Sequence, residues 1–509
     1  MHSDILIVGA GPTGLVLALW LMKQGVRPRI VDSSSGPGTT SRAMGVQART
    51  LELYRQLDLA EAVVAAGHRN PGINLWVRGR RRAHLSFGSA GAAVTPYPFL
   101  LVYPQDRHEQ LLVAWLAAMG VTVERRTELL GFEERGDHVL ARLRGPGGEE
   151  QFCEARYLAG CDGARSPVRH QLGAGFEGGT YRQLFYVADV ETSGLTPPDE
   201  IHVCLDSADF VVLLAYGGTG QARLIGTVRD ERAGRAETLG FGDVSDQAIR
   251  GLGLRIGRVN WFSTYRVHHR VTDRFRRGRV FLLGDAAHVH SPAGGQGMNT
   301  GIGDAINLAW KLVAVLKGEA AEGLLDSYET ERLGFAHRLV RTTDRVFSTI
   351  TAEGRLANLL RSRVAPLIAS AAYRVGPARE FLFRVISQTK LHYRESPLSD
   401  GLAGRVRGGD RLPWVSLDGA ENYAPLSDIG WQVHVYGHAG AALRDWCGAR
   451  GMPLHVQDWH PRHGEAGLAR DAAYLLRPDT YVALADPAAD PARLARYFSE
   501  HAFIPGRGG

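Results

Sequence analysis

The chain is predicted to be an α/β protein with a doubly wound, mainly parallel sheet, a β-rich middle and a small α/β unit near the C-terminus. Three observations predict this. Residues 5–32 read as strand, glycine-rich turn, apolar helix and strand; residues 182–267 are dense in short strand-like runs; and a Gly-, Pro-, Asp- and Arg-rich stretch at 396–413 precedes a last strand–helix–strand pattern.

Ile5–Val8 has the composition of a buried strand, and Thr13–Gln24 is an apolar helix stopped by Gly25. Val26–Asp32 completes the β-α-β start. Arg107–Met119 reads as an amphipathic helix leading into a strand at Val121–Val123. Strands at Val139–Leu143 and Phe152–Tyr157 flank the turn Gly145-Pro146-Gly147-Gly148, a small β-excursion. In the β-rich stretch, Tyr186–Val190, Phe210–Tyr216 and Ala222–Val228 are the clearest strands. Ile302–Val315 is a strongly apolar helix, and helix continues to about Lys390. Ser396–Pro413 reads as a linker; beyond it, strands at Trp431–Val435 and Tyr481–Leu484 bracket a helix at Ala441–Ala449. At 509 residues the chain exceeds what one core holds, so two to four domains are expected.

Composition narrows the function. With 44% hydrophobic and 22% charged residues, disorder, collagen and coiled coil are excluded. The net charge of +6 comes from dispersed arginines, so a nucleic-acid partner is not expected. Cys153, Cys161, Cys204 and Cys447 form no CxxC pair, which excludes a dithiol redox site and a disulfide framework. No metal is expected, because His288 and His290 lack a convincing set of carboxylate or thiolate partners. The first strand begins almost at once, leaving no signal peptide, and no apolar stretch has the length of a membrane helix; the expected location is cytoplasmic, with no membrane partner.

Chemistry is carried by glycine-rich turns. Gly9-Ala10-Gly11-Pro12-Thr13-Gly14 follows a strand and opens a helix, the setting in which a backbone approaches a pyrophosphate and the helix N-terminus stabilises its charge. Asp32, followed by Ser33 at the end of the second strand, is placed to accept hydrogen bonds from a ribose. A second motif, Gly284-Asp285-Ala286-Ala287-His288, follows the strand-like run Arg279–Leu283; its carboxylate suits a ribityl or ribose hydroxyl. Then Pro292-Ala293-Gly294-Gly295-Gln296-Gly297-Met298-Asn299 runs into the apolar helix. Here main-chain N–H groups can approach a flat ring, and the helix N-terminus favours the negative charge a reduced flavin carries at its N1–C2 edge. The third, Cys161-Asp162-Gly163-Ala164-Arg165, reads alone as a turn.

In this order the motifs resemble those of the class A flavoprotein aromatic hydroxylases, the p-hydroxybenzoate and phenol hydroxylase superfamily. Gly9, Gly11 and Gly14 match its ADP-binding fingerprint, Asp162-Gly163 with Arg165 its DG motif, and Gly284-Asp285 its GD motif. Arg42, and Gln105 with Arg107, match further flavin-contacting positions, and Leu325-Asp326-Ser327-Tyr328-Glu329-Thr330-Glu331-Arg332 is another hallmark. Asp32 stands where the family more often has glutamate. The likeness covers about residues 3–395; Leu476–Ala483 looks like the end of the thioredoxin-like domain that polyketide hydroxylases carry, without redox cysteines.

The resemblance implies a Rossmann-like FAD-binding domain (1–180 and 268–395, with an excursion near 72–100 joining the next unit), a β-sheet substrate domain (181–267) and a thioredoxin-like domain (396–509). It implies tight, non-covalent FAD; NADPH or NADH as a transient co-substrate; O2; and a phenolic or polycyclic polyketide-type aromatic, hydroxylated through a flavin C4a-hydroperoxide. A monomer or homodimer is expected. Pro292, Gly297 and Met298 fall beside the reacting ring, and Gly9, Gly11, Pro12, Thr13, Gly14, Asp32, Ser33, Arg42, Gln105, Arg107, Asp162, Gly163, Gly284, Asp285, Gly295 and Asn299 complete the expected cofactor site. Tyr97, Phe99, Tyr186, His202, Tyr216, Trp261 and Phe262 are candidates to line an aromatic pocket. Baeyer–Villiger chemistry or antibiotic inactivation is the rival outcome on the same scaffold, and a non-enzymatic flavoprotein is the reading from another class.

Overall fold

The computed structural model describes residues 2–38, 43–194, 199–205, 210–216, 220–228, 239–244, 247–290, 295–351 and 375–504, side chains at 182 and 342–351 excepted. Its first sheet forms around the strand His2–Val8, whose residues from Ile5 onward are buried. The helix Pro12–Lys23 buries every residue from Gly14 to Leu21, so it is apolar all round because it is covered all round. Gly25, at φ +79°, turns the chain out of that helix, and Val26 N–H bonds back to the Leu21 carbonyl.

Five parallel strands make the centre of this sheet, in the order Val280–Leu282, Glu150–Gly160, His2–Val8, Arg29–Asp32, Glu124–Arg125. Arg276–Arg277 adds an antiparallel edge. The strand expected at Val121–Val123 is displaced: only Glu124–Arg125 pairs, against Val31 and Asp32. The β-excursion proves integral, since Glu150–Gly160 is both the last arm of an antiparallel meander (Glu128–Arg135, His138–Arg144) and the parallel neighbour of the first strand.

The second sheet has eight strands, in the order His288–Val289, Arg255–Thr272, Phe176–Ser193, Gln221–Val228, Phe210–Ala215, Ile201–Leu205, Gly72–Val77, Arg80–Ser86. The last two come from the segment near 72–100, with Ile73 to Val77 in parallel register with Ile201 to Leu205. Two eighteen-residue strands carry the chain through residues 181 and 267, so those positions lie inside strands rather than in connections.

A six-stranded sheet closes the chain, ordered Val406–Arg407, Asp400–Ala403, Val482–Asp486, Ala473–Leu476, Gln432–Tyr436, Leu454–Gln457, with helices Ala441–Ala449 and Pro491–Glu500. The expected linker at 396–413 is corrected here. Asp400 and Gly401 pair with Leu484 and Ala485, and Leu398, Ala403, Val406 and Leu412 are buried. The segment is part of the last unit's core. That unit is not a loose appendage either: one buried apolar cluster runs from Ile5 through Trp310 to Val433, Leu475 and Phe498, and Trp310 meets Trp431 edge-on at 6.0 Å.

Burial of imidazoles gives the fold an acid limit. His108 is 0% exposed, its Nε2 3.1 Å from the Tyr54 hydroxyl, and burial pushes its pKa down to about 4; burial likewise pushes His434 down to about 3. In the unfolded chain each takes a proton near pH 6.5, so between pH 6.5 and 4 the unfolded state binds more protons and stability falls as pH falls. The expected loss from His108 alone approaches about 3 kcal/mol by pH 4. Urea unfolding midpoints for the protein and its His108→Gln variant check this: the variant should lose less stability between pH 7 and pH 4.5, and parallel pH curves would contradict the assignment.

Candidate cofactor cleft and substrate face

The three glycines of the first turn do different work. A Cβ on Gly9, at φ +103°, would overlap the Cys161 carbonyl, and one on Gly14 would overlap the carbonyl of Gly9. Both glycines are therefore required by the protein's own packing, and Gly9 brings the Asp162-Gly163 turn against the first strand. Gly11 has φ −76° and, among the described residues, no atom beyond its chain neighbours lies within 4 Å of its Cβ position. Its openness fits a group that lies outside the chain, as close approach of a pyrophosphate would require. Pro12 occupies the first helical turn, where its missing N–H is not needed.

Asp32 is fixed at the rim. Its carboxylate accepts from Ala10 N–H at 2.6 Å and from Ser34 N–H at 2.7 Å, and also from the Ser34 hydroxyl. Ser33 is exposed. Arg125, which the sequence did not single out, lies 3.5 Å from Asp32 and donates to Ser34 Oγ at 3.2 Å, while its buried Nη2 has no hydrogen-bond partner among the described residues. Asp162 is similar: Oδ2 accepts from Val168 N–H at 3.0 Å, Oδ1 is buried without a partner among the described residues, and burial holds its pKa above the usual carboxylate range. Buried polar atoms without partners in a protein interior ask for an explanation. One donor and one acceptor on either side of the glycine turn fit the ribose hydroxyls and phosphates of a dinucleotide.

Gly163 takes φ +78°, Arg165 is exposed, and Arg169 joins two motifs by donating to the carbonyls of Ala164 and Ala286 at 2.9 Å each. The Gly284–Ala286 turn is held from below. Asp304 accepts from Gly284 N–H at 2.9 Å, from Arg332 Nε at 2.6 Å, and pairs with His288 Nε2 at 2.7 Å. Burial raises the Asp304 pKa, but Arg332 and His288 outweigh it and keep the group below the usual range, hence ionised. That support leaves Asp285 on the exposed side of the turn. Thr13 also packs: its hydroxyl occupies the space where a Cβ on Gly284 or Gly301 would stand, holding its helix against the helix Gly297–Leu316.

The helix Gly297–Leu316 is capped by Gln296, and the first N–H bonded within it is that of Thr300, to the Gln296 carbonyl. The main-chain N–H groups of Gly297, Met298 and Asn299 are its first-turn donors, which no helical carbonyl satisfies. The side chain of Asn299 is engaged within the protein, and only its main-chain N–H faces the helix start. Its Oδ1 accepts from Gln47 N–H (2.9 Å) and Thr50 Oγ (2.8 Å); its Nδ2 donates to the carbonyls of Gly45 (2.8 Å) and Gly295 (2.9 Å). With four bonds made, it is a staple between the start of its own helix and residues 45–50. Gln105 also bonds to protein, accepting from Ala43 N–H at 3.2 Å and donating to Glu109 at 2.8 Å, and Arg107 is exposed at the start of the same helix. Arg42 and Pro292 lie outside the described residues.

The large sheet offers two faces. Tyr186, Cys204, Leu213 and Leu224 belong to an apolar cluster with Ala248 and Ile249 of a short covering helix, and Trp76, Phe241 and Phe262 pack on it. His202 alternates with Cys204 onto this side, its Nδ1 accepting from Trp76 Nε1 at 2.9 Å. Tyr186, His202 and Phe262 are therefore core of the far side, not pocket lining. On the other face Ile73, Val203, Val212 and Leu214 pack with Phe87, Leu100 and Phe383. Leu100 also stands 3.6 Å from the Cβ position of Gly45, itself 3.7 Å from the Gly295 carbonyl, so this face fronts the 295–299 loop. Tyr216 and Trp261 share it with the pair Arg223–Asp189, a bidentate ion pair of two 2.7 Å bonds with Trp261 5.7 Å from the guanidinium. Burial pushes the Tyr216 phenol up to about 12, so it stays protonated at neutral pH. Tyr97 and Phe99 contact each other edge-on at 6.1 Å and pack on the first core. Among the described residues no cluster of His, Cys, Asp and Glu could hold a metal ion, and no helix is long and apolar enough to cross a membrane.

Comparison with known proteins agrees with the cleft. Residues 2–343 match the family described as FAD binding domain. The 6-methylpretetramide 4-monooxygenase of Streptomyces rimosus is 39% identical over 94% of this chain and 90% of its own length. The pentachlorophenol 4-monooxygenase of Sphingobium chlorophenolicum is 32% identical over 82% of this chain and 76% of its own. Among solved structures, the anhydrotetracycline hydroxylase OxyS from Streptomyces rimosus superposes with a TM-score of 0.77 at 29% identity, covering 99% of this chain and all of that one. The glycine turn, the open position at Gly11, the propped Gly284–Asp285 turn and this likeness along nearly the whole chain lead to one statement: the chain belongs to the FAD-binding-domain family of flavin-dependent aromatic monooxygenases.

Proposed function

We propose that the protein hydroxylates a polycyclic phenolic substrate of the polyketide type, using FAD, NAD(P)H and O2. The observation that carries this reading is the 39% identity to a 6-methylpretetramide 4-monooxygenase over 94% of the chain. Bound FAD supplies the activation of O2 with electrons taken from NAD(P)H; the chain's residues hold, orient and enclose it.

In this reading the Gly9–Gly14 turn and its helix take the pyrophosphate, together with Arg42. Asp32 holds the adenosine ribose, and the buried Arg125 Nη2 serves the same adenosine end. Gln105 and Asp285 serve the ribityl–pyrophosphate region, Arg107 flanks it, and Asp162 lies where both nucleotides pass. Gly297 and Met298 present N–H groups to the pyrimidine edge, where the helix N-terminus favours negative charge, and Pro292 stands beside the reacting edge. The substrate lies under the sheet face that carries Val203, Val212, Leu214, Tyr216 and Trp261. That face is apolar with one charged pair, which suits a flat aromatic body with polar substituents.

Replacing Asp285 with alanine is expected to give folded protein purified with little flavin, its FAD affinity down by about tenfold or more, since a hydrogen-bonding carboxylate contributes on the order of 1.5–3 kcal/mol. The flavin-to-protein absorbance ratio measures it, and near-full occupancy would remove Asp285 from the site. The reaction is tested by NAD(P)H oxidation in air against phenols, naphthoquinones and polycyclic polyketides, with product masses. A gain of one oxygen on an aromatic carbon is expected; a ring-expanded lactone would move the assignment to Baeyer–Villiger chemistry.

A further inference from the structure

Residues 477–481, between the strands Ala473–Leu476 and Val482–Asp486, do not face solvent: Arg477, Asp479, Thr480 and Tyr481 are all buried against the first unit. Arg49 reaches across to them, donating through Nη2 to the Asp479 carbonyl at 3.0 Å and to Thr480 Oγ at 2.8 Å, with its guanidinium 4.8 Å from the Tyr481 ring centre. Gln56 adds a bond to the Pro478 carbonyl at 2.8 Å. Thr480 has φ +68°, a conformation that costs a β-branched residue free energy and persists only where the surroundings impose it.

Arg49 sits in the helix Ala48–Tyr54, all seven residues of which are buried. Its neighbours Gln47 and Thr50 are the two groups that donate to Asn299 Oδ1, and Asn299 Nδ2 holds the carbonyls of Gly45 and Gly295. From the C-terminal loop to the start of the Gly297–Leu316 helix there are thus three links, Arg49, the short helix and Asn299, each buried and hydrogen-bonded. A small cavity whose lining includes Arg49, Thr50, Asn299, Ile306, Asp479 and Tyr481 lies along the same path.

We propose that the C-terminal unit is a positioning element for the flavin ring: its 477–481 loop, through Arg49, sets the placement of the Gly295–Asn299 segment. Removing the link lets the short helix and Asn299 relax, so the first-turn N–H groups of Gly297 and Met298 lose their aim. The inference rests on the assignment of that segment to the flavin ring.

The test uses the full-length protein loaded with FAD, read by FAD affinity of the apoprotein, visible circular dichroism of the bound flavin, and flavin midpoint potential. Arg49→Met is expected to weaken FAD by about tenfold and to change the flavin dichroism, as small misplacements of a site do. Thr480→Gly relieves the backbone strain while removing the hydroxyl, so it should move the flavin signals in the same direction without lowering the melting temperature; Thr480→Ser should restore them. Asp486→Asn, which disturbs the C-terminal unit away from the loop, should lower stability and leave the flavin signals unchanged. Arg49→Met and Thr480→Gly proteins with unaltered affinity, dichroism and potential would overturn the proposal. Asn299→Ala, measured alongside, separates the two ways of failing: flavin signals that it leaves unmoved overturn the ring assignment itself, whereas signals that it moves and Arg49→Met does not overturn the coupling alone.

Discussion

Gly9→Ala is expected to yield protein that retains no FAD and loses more than about 4 kcal/mol of stability, the range reached only when a backbone position is physically denied. Two effects add. The φ of +103° lies outside what an L-residue with a side chain adopts without strain. The added methyl would also overlap the Cys161 carbonyl, a backbone atom that cannot step aside because Cys161 N–H is bonded to the Val8 carbonyl at 2.8 Å. To make room, the 161–163 turn must separate from the end of the first strand, which breaks a parallel register running from His2↔Glu154 to Val8↔Gly160. Gly11→Ala is the matched control. At φ −76° its methyl meets no atom among the described residues, so apoprotein stability should change by less than about 0.5 kcal/mol. FAD affinity should nonetheless fall, because the methyl occupies the approach of the pyrophosphate. Thermal melts of both apoproteins and a flavin titration check the pair. Equal destabilisation by the two substitutions would sink the argument that one glycine serves the fold and the other the ligand.

The parts of the fold that sequence made legible are those in which local chemistry and final geometry coincide. The run from Ile5 to Asp32 could be read because a buried strand, a glycine turn and an apolar helix each have a local signature, and the Gly284-Asp285 turn because glycine at φ +58° is required where Thr13 stands against it. Pocket residues were less legible. Alternation says which side chains share a face of a strand, but not which face meets the cleft. Trp261 and Phe262, adjacent in sequence, had to part, one to each side. Irregularities also interrupt the period, as the register shifts between Asp189 and Val190 and between Glu191 and Thr192 demonstrate. The 396–413 segment read as a linker because its glycines and prolines outweigh a sparse apolar set, while the strand that completes it lies about eighty residues onward at Leu484. Glu331 and Arg332 were read only as part of a hallmark segment; Asp304, which pairs with Arg332, was missed, and so were the partners of Glu331. A charge in a helix reads as a solvated face unless its partner is known, and here the partners come from other elements. A lone acid in the apolar run Ile302–Trp310 was the one available signal.

Glu331→Gln is expected to lower stability by about 3–5 kcal/mol, the loss observed when one member of a buried charge cluster is removed. The carboxylate is 0% exposed and makes five bonds: to Arg477 at 2.6 and 3.0 Å, to Lys311 at 2.9 Å, to Asn307 at 2.6 Å and to Ser396 at 2.7 Å. Asp479 accepts two further bonds from Arg477, at 2.6 and 3.0 Å, so two cations and two anions balance in the interior. Burial alone would raise the Glu331 pKa, yet Arg477 and Lys311 hold it far below the usual range, and the group stays ionised. Glutamine keeps the size but leaves one positive charge uncompensated. Burial already pulls the Lys311 ammonium down to about 8 against the opposing effect of Glu331. Without that carboxylate Lys311 should release its proton to restore neutrality. Deleting both charges, in Glu331→Gln with Lys311→Met, returns the cluster to balance, so the double variant should be more stable than Glu331→Gln alone. A double-mutant cycle from urea unfolding measures the coupling. Additive losses would show that Glu331 acts through packing rather than charge, whereas a coupled result makes this cluster the electrostatic hinge between the first and last sheets, since Arg477 and Asp479 belong to one and Lys311 and Glu331 to the helices of the other.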